Sequence, residues 1–419
     1  MSKDTFNEAN YEQAIIELFT QQLGYEYIYG PDIVRDYTEP LFLDRLQQSL
    51  LAINPALPAV AIQEAIDKIR QIDTGSLVQR NEVFTDYLQN GVDVSYFDGK
   101  EQHSACVRLI DYDHPLHNNF VVANQWSIEE HSVRRADIIV FINGLPLVVM
   151  ELKSPSRTET NVSEAYAQLR NYMQEIPSLF VYNAFCVMSD LVTSKAGTIT
   201  SGEDRFMEWK TVDGQTEDNH FANFHVLFCG MFEQERLIEI LRDFICFSKE
   251  EKQSAKILAG YHQFYAVRKA ITSVKEATTT NGKGGVFWHT QGSGKSLSMV
   301  FFAKCLQRAL SSPTIVVITD RTDLDNQLFG QFSKCADFLR QVPVQAKSRK
   351  HLSELLDGIE ANGIFFTTMQ KFEEGEESLS QRRNIVVVAD EAHRSQYGLT
   401  ETIDKQTGKL KIGAARMVR

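Results

Sequence analysis

The chain has 419 residues, 43% hydrophobic and 23% charged, which gives room for two or three domains with cores of their own. A formal net charge of -12 excludes a protein that holds nucleic acid by bulk electrostatics, so any DNA contact must be a local patch helped by a partner. The start of the chain has no apolar targeting segment and no apolar run approaches the ~18 residues that span a bilayer, so a soluble cytoplasmic protein is expected. Six widely spaced cysteines, Cys106, Cys186, Cys229, Cys246, Cys305 and Cys335, form no C-x-x-C pair and read as reduced packing residues.

In chain order, the first predicted helix runs from Tyr11 to Leu23, with Tyr11, Ile15, Leu18 and Phe19 on one face and Gly24 as its stop. Two amphipathic helices follow, one with Leu43, Leu46, Leu50 and Ile53, the other with Ile62, Ile66 and Ile69; together they predict a helical insertion near residues 40–72. The period then becomes that of strands, at Ser104 to Ile110, Phe120 to Gln125, Ala136 to Ile142 and Leu145 to Leu152. A helix from Val162 to Met173 and a strand near Phe180 to Met188 complete a mixed α/β domain, expected to cover residues 1–250. Polar stretches near Thr198 to Asn219 and Ser248 to Lys256 are the linker candidates. Over residues 251–419 strands at Val286 to Trp288, Thr314 to Thr319, Ile364 to Thr367 and Ile385 to Ala389 alternate with helical stretches, the pattern of a parallel sheet in a doubly wound nucleotide fold.

The loop Gln291-Gly292-Ser293-Gly294-Lys295-Ser296 lies between an expected strand and an apolar helix, the context that a phosphate-binding loop requires. Glycines let backbone N–H groups curl round phosphates at a helix N-terminus, Lys295 can reach the β and γ phosphates, and Ser296 can ligate magnesium. His289 stands where the usual pattern has its first glycine. The sequence Asp390-Glu391-Ala392-His393 begins 95 positions after Lys295 and closes a strand, at the end where parallel sheets bind ligands. Asp390 would hold Mg²⁺ beside ATP, and Glu391 would position the attacking water.

Upstream, Asp137 is followed by a turn and then by Glu151-Leu152-Lys153. Glu and Lys at i and i+2 of a strand often form only a solvated pair, but here both follow a continuous apolar run, a costly place for charge. Two carboxylates from neighbouring strands can hold Mg²⁺ while a lysine orients the water that attacks phosphorus, which is phosphodiesterase chemistry. Gln168 and Tyr172, four apart on one helix face, can both look back at the sheet, though a core tyrosine beside a surface glutamine fits the spacing equally. The turn poses a parity problem. If Asn143-Gly144 is a two-residue turn in a regular ladder, Asp137 falls opposite Met150 and Glu151 faces the other side. A shared metal therefore predicts a three-residue loop, Ile142-Asn143-Gly144 with Gly144 left-handed, or an equivalent bulge.

Asp390 to His393 resembles the D-E-A-H box of superfamily 2 helicases and translocases. On that resemblance Thr319-Asp320-Arg321-Thr322-Asp323-Leu324 and Thr367-Thr368-Met369-Gln370-Lys371-Phe372 are similar to the family's next two conserved segments, and Gln263 in Tyr261-His262-Gln263-Phe264 is similar to its adenine reader. Asp137, Glu151 and Lys153, with Gln168 and Tyr172 matching a Q-x-x-x-Y motif, resemble the RecB-like branch of PD-(D/E)xK nucleases, with Ala136 in place of the nominal proline. In that branch a helix-one acid approaches the metal. Glu12 is the candidate, because Ile15 and Ile16 put it at the border of the buried face, whereas Glu8 and Glu17 read as solvated.

The order of these motifs resembles the amino-terminal portion of the R subunits of type I restriction endonucleases, over essentially the whole chain. The resemblance implies a Mg²⁺-dependent DNA nuclease joined to the first lobe of an ATP-driven translocase of double-stranded DNA. It also implies methyltransferase and specificity subunits as partners, with cleavage far from the site they choose. Because 26 residues follow His393, too few for a second lobe, this chain is expected to lack ATPase turnover. A repair helicase-nuclease, or a nucleotide-gated scaffold whose carboxylates are only structural, are the alternative readings.

Overall fold

A computed structural model describes residues 8–153, 162–217, 224–290, 292–319, 322–369, 371, 379–390, 401–403 and 410–412. The chain forms two compact units, Met1–Tyr265 and Ala266–Arg419.

The first unit opens with α1 (Glu8–Gln21), which buries Tyr11, Ile15, Ile16, Leu18 and Phe19. Beyond it Gly24 takes φ +75, a left-handed reversal that favours glycine. The edge strand β1 (Glu26–Tyr29) follows, then α2 (Leu43–Ile53) and α3 (Ala59–Arg70), where the helical insertion was expected. Ser76 and Gln79 form a reciprocal capping box that starts α4 (Leu77–Asn90), and β2 (Val92–Phe97) pairs with β3 (Gln102–Val107) as a hairpin.

The central sheet is built from β1, β4 (Phe120–Glu129), β5 (Val133–Ile142), β6 (Leu145–Leu152), β7 (Phe185–Ser189), β8 (Ser194–Gly197) and β9 (Met207–Glu208), adjacent in that order. β4, β5 and β6 run antiparallel, whereas β6 and β7 are parallel and are joined through α5 (Val162–Glu175) and α6 (Pro177–Val181). The strand expected near Phe180 to Met188 thus begins later, because Pro177 starts a short helix that buries Leu179 and Phe180. Trp126, Ile139, Phe141, Val149, Leu169 and Phe180 share the core cluster on this sheet. Every residue of β6 is buried, so the charge at Glu151 sits inside a strand that is otherwise apolar.

After β9 come α7 (Phe224–Phe232) and α8 (Gln234–Asp243), then the hairpin β10 (Ile245–Ser248) and β11 (Ala255–Leu258). The polar stretch read as a linker near residue 250 is the turn of that hairpin. The division between units comes after it, within α9 (Tyr261–Thr278).

The second unit contains α10 (Lys295–Ala309), β12 (Thr314–Thr319), α11 (Thr322–Lys334), α12 (Ala336–Leu339), β13 (Val344–Gln345), α13 (Arg349–Asp357), β14 (Ile364–Thr368) and β15 (Ile385–Ala389). Its parallel sheet runs β13-β14-β12-β15, and Val316, Ile318, Leu352, Leu356 and Phe365 pack one of its faces. The pair β16 (Glu401–Ile403) and β17 (Leu410–Ile412) is separate. The strand expected at Val286 to Trp288 is absent among the described residues. That stretch is irregular, Val286 and Trp288 are 89% and 79% exposed, and Gly285 just before it has φ +111, which breaks an extended backbone.

Among the described residues no helix is long and apolar enough to cross a membrane. The six cysteines are free thiols, Cys106 exposed and the others buried.

Candidate functional site

The β5–β6 turn settles the parity question. Asn143 and Gly144 both have positive φ, 52° and 81°, as a two-residue turn with matching strand twist requires. Asn143 is wholly buried and anchored: its Nδ2 donates to Leu109 O at 2.9 Å and Asn118 Oδ1 at 2.8 Å, while its Oδ1 accepts the Asn119 N–H at 2.8 Å. Ile142 pairs with Leu145 and Phe141 with Pro146, but Val140 pairs with Val148, leaving Leu147 as the extra residue of a bulge. The three-residue loop does not form, because Asn-Gly favours the tight turn and Pro146, with no N–H to give a ladder, sits naturally beside a bulge. The equivalent bulge restores the parity. Ile138 pairs with Met150, so Asp137 and Glu151 stand opposite each other and share a face.

Their environment is dry. Asp137 Oδ2 accepts the backbone N–H of Leu152 at 2.8 Å, and Lys153 Nζ donates to Glu151 Oε1 at 2.6 Å. Glu151 is 3% exposed, and among the described residues its Oε2 is buried with no well-aligned hydrogen-bond partner, Tyr172 nearby donating its hydroxyl to Arg135 O instead. Burial, then the neighbouring Glu151 charge, raises the Asp137 pKa well above the usual carboxylate range, against the Leu152 N–H and Lys153. Burial also raises Glu151, opposed by Lys153. For Lys153 burial pulls the pKa down, but Glu151 and Asp137 outweigh it and hold the ammonium charged. Burial and mutual repulsion therefore favour a proton on the pair when no cation is present.

Tyr172, buried on α5, donates to Arg135 O at 3.1 Å and lies in hydrogen-bonding reach of Gln168 and Glu151. Tyr172 is thus brought to Glu151, and Gln168, one helical turn before it, reaches Tyr172 and not a carboxylate. Glu12 is not brought there. Its two oxygens accept Asn124 Nδ2 at 2.5 Å and Gln125 Nε2 at 2.8 Å, over β4. Glu8, read as solvated, is exposed, yet its charge reaches Asp137, Glu151 and Lys153. Helical periodicity put both acids off the buried face and gave no means of choosing between them.

Among the described residues no group of three or more His, Cys, Asp and Glu side chains is arranged to hold a metal. Mg²⁺ needs fewer, since it commonly keeps several waters and takes one or two carboxylates. An acidic pair with an orphaned, buried carboxylate oxygen fits that requirement.

In the second unit Gly292 (φ +80) and Gly294 (φ +77, the N-cap of α10) both adopt the left-handed region, the conformation a phosphate-binding nest needs where backbone N–H groups open at a helix start. Lys295 is exposed and Ser296 half-buried in the first turn; Ser293 Oγ donates to Thr290 O at 2.8 Å. Gln291, Glu391, Ala392 and His393 lie outside the described residues, as do Asp320, Arg321, Gln370 and Phe372. At the carboxyl ends of the strands, Asp390 donates its N–H to Ile318 O at 2.8 Å. Beside it on β12, Thr319, the first residue of the segment likened above to a conserved helicase segment, is wholly buried with its hydroxyl unpartnered among the described residues. Gln263 belongs to the first unit, 5% exposed, its Oε1 accepting the Gly260 N–H at 3.0 Å.

Comparison with known proteins adds two family matches. Residues 5–205 match the amino-terminal family of type I restriction enzyme R proteins, and residues 262–412 match the SWI2/SNF2 ATPase family. A type I restriction enzyme HindI endonuclease subunit from Haemophilus influenzae is 40% identical over 99% of this chain and 41% of its own length. A putative type I restriction enzyme MjaIXP endonuclease subunit from Methanocaldococcus jannaschii is 34% identical over 90% of this chain and 39% of its own length. A Staphylococcus aureus type I restriction enzyme endonuclease subunit is 29% identical over 69% of the chain and 30% of its own length. The chain thus spans about two fifths of the first two relatives.

Proposed function

Because the chain belongs to the type I restriction enzyme R-subunit family, matching its amino-terminal portion, we propose that its first unit is a Mg²⁺-dependent DNA nuclease of the PD-(D/E)xK kind and its second a RecA-like lobe of an ATP-driven translocase of double-stranded DNA. One observation carries the nuclease reading. Asp137, half-buried, and Glu151, buried, face each other across adjacent strands, with Lys153 Nζ 2.6 Å from Glu151 and, among the described residues, one Glu151 oxygen left without a partner.

In this reading Asp137 and Glu151 hold Mg²⁺, with Glu8 above them contributing negative charge. When bound, the ion supplies Lewis-acid polarisation of the scissile phosphate and lowers the pKa of a water. Lys153, kept charged by its carboxylate neighbours, orients that water and offsets charge gathering on the phosphate. Tyr172 and Gln168 hold Glu151 in place from α5. In the second unit Gly292 and Gly294 admit the ATP phosphates to the N-terminus of α10, Lys295 and Ser296 meet the β and γ phosphates and their Mg²⁺, and Asp390, with Glu391, serves the metal and the attacking water. The departure at Val286 to Trp288 leaves the step from sheet to phosphate loop irregular, so this half of the reading rests on the loop itself, on Thr319 and Asp390 at the strand ends, and on the family match.

Methyltransferase and specificity subunits would select the DNA site, which suits a chain whose charge of -12 gives it little bulk affinity for DNA. The test is DNA cleavage by the whole subunit assembled with those partners, with Mg²⁺ and ATP. Loss of cleavage in Lys153→Ala with ATP hydrolysis retained supports the proposal, and cleavage at the parent rate overturns it.

A further inference from the structure

β4 is kinked directly across from Asp137. Asn124 pairs with Ile138 and Trp126 with Ala136, so Gln125 occupies the position facing Asp137, and it has φ +53. Glutamine rarely enters the left-handed region, where its Cβ crowds the backbone, so something must hold it there.

Two features do. Gly30, just after β1, lies against the kink so closely that a Cβ on it would come within 2.8 Å of Asn124 O and 2.9 Å of Gln125 O. From the other side the Glu12 carboxylate accepts one amide N–H from each residue of the kink, Asn124 at 2.5 Å and Gln125 at 2.8 Å, while Tyr27 Oη donates to Asn124 Oδ1 at 3.1 Å. Charged acceptors make the stronger hydrogen bonds, and a carboxylate with two oxygens matches two neighbouring amides. Where a strand departs from its ladder, the side chains beside it are re-aimed.

Resting on the metal-site reading above, we infer that Glu12 is a positioning residue: it locks the left-handed kink at Gln125, and through that kink it fixes the aim of Asp137 without touching the ion. A ligand and a clamp differ in one respect. The need for a clamp falls once residue 125 is a glycine, which takes positive φ without a Cβ penalty, whereas the need for a ligand does not.

The experiment is a double-mutant cycle on the 419-residue chain, read by Mn²⁺ titration followed by electron paramagnetic resonance and, separately, by thermal unfolding without metal. Glu12→Ala should weaken Mn²⁺ binding about tenfold, the lower end of what support of a metal ligand is worth. In a Gln125→Gly background the same change should weaken it by about twofold or less, and the unfolding midpoint should show the same coupling. Undiminished loss in the glycine background overturns the clamp, as does Mn²⁺ binding indifferent to Glu12→Ala. Asp137→Ala separates the two levels of the argument. If it leaves Mn²⁺ binding intact, or if the parent chain binds none, the metal reading itself fails and takes the positioning role with it; binding lost in Asp137→Ala but untouched in Glu12→Ala removes only the positioning role.

Discussion

The two candidate sites are built in opposite ways. The carboxylate pair sits on strands hydrogen-bonded on both sides, Glu151 inside a run of wholly buried residues and Asp137 half-buried beside it, so its geometry follows from sheet register. The glycine loop of the second unit follows an irregular, exposed stretch, and its lysine points to solvent. A site assembled by register is ordered before anything binds and carries the electrostatic cost of buried like charges at all times. A site made of left-handed glycines at a helix start carries little cost when empty and gains its order from the phosphates it receives.

The largest effect expected from this contrast is catalytic. In the complete subunit with its partners, Lys153→Ala should lower DNA cleavage by about 10²–10⁴-fold, the range for a group that positions a proton-transfer partner, while ATP turnover stays within about twofold. Lys295→Ala should abolish ATP turnover. If Lys153→Ala removes ATP hydrolysis together with DNA cleavage, the two sites are not separable as drawn.

Next comes the turn that sets the register. A Cβ at Gly144 would meet Leu46 N at 2.5 Å and Phe42 O at 2.6 Å, both backbone atoms, and φ is +81. Gly144→Ala should therefore destabilise the first unit by about 2–3 kcal/mol in urea unfolding, through overpacking and strain together. A change under about 0.5 kcal/mol would mean that the turn does not fix the register.

Much of this was legible in the sequence, for identifiable reasons. β6, β12 and β15 have the bounds expected, because each is a continuous apolar run, and β6 and β12 are buried throughout inside their sheets. Asp137 and Glu151 were readable as a pair because strand parity is strict, and the demand that they share a face called for a three-residue loop or an equivalent bulge, of which the bulge formed, at Leu147. Apolarity misled at Val286 to Trp288, where composition reads as a strand but the backbone after Gly285 does not extend. The exchange of Glu12 for Glu8 was illegible for another reason. Helical period separates buried from exposed faces, and both acids lie off the buried face; which one overhangs Asp137 depends on where α1 crosses the sheet, set by contacts such as Tyr11 Oη to Ser189 Oγ at 2.6 Å. The kink at Gln125 leaves no trace in a pattern of residue types.

A buried cation supplies a smaller, pH-dependent test within the first unit. Lys256 on β11 is 3% exposed and donates to Asn81 Oδ1 at 2.8 Å and Asn183 O at 2.7 Å. Desolvation lowers its pKa to about 7, with buried Cys186 nearby opposing. The unfolded chain then binds more protons than the native one between about pH 7 and the ordinary lysine value near 10.5, so this group's contribution to stability rises with pH across that window and levels off below it. Lys256→Met should remove this slope relative to the parent protein, a difference on the order of 1 kcal/mol per pH unit in denaturant titrations. Parallel stability curves for the two proteins would show that the amine stays charged through its two hydrogen bonds.

The smallest expected effect bears most directly on the contrast between the sites. ATP with Mg²⁺ at ten times its dissociation constant stabilises whatever region it orders by about 1.4 kcal/mol, close to tenfold in amide exchange. If the glycine loop takes its order from phosphate, that protection should concentrate in residues 286–296 and in the first turn of α10, where backbone N–H groups now face solvent or irregular chain. Mg²⁺ alone should leave exchange across β5 and β6 nearly unchanged, since those amides are already paired in the sheet, and should instead release protons, because its charge lowers the raised pKa values of Asp137 and Glu151. Hydrogen exchange followed by mass spectrometry reads the first effect, and calorimetry in buffers of different ionisation enthalpy reads the second. Equal protection of both regions by their ligands would mean that the carboxylate site is as unformed without its ion as the loop is without phosphate, and the difference in construction would carry no difference in behaviour.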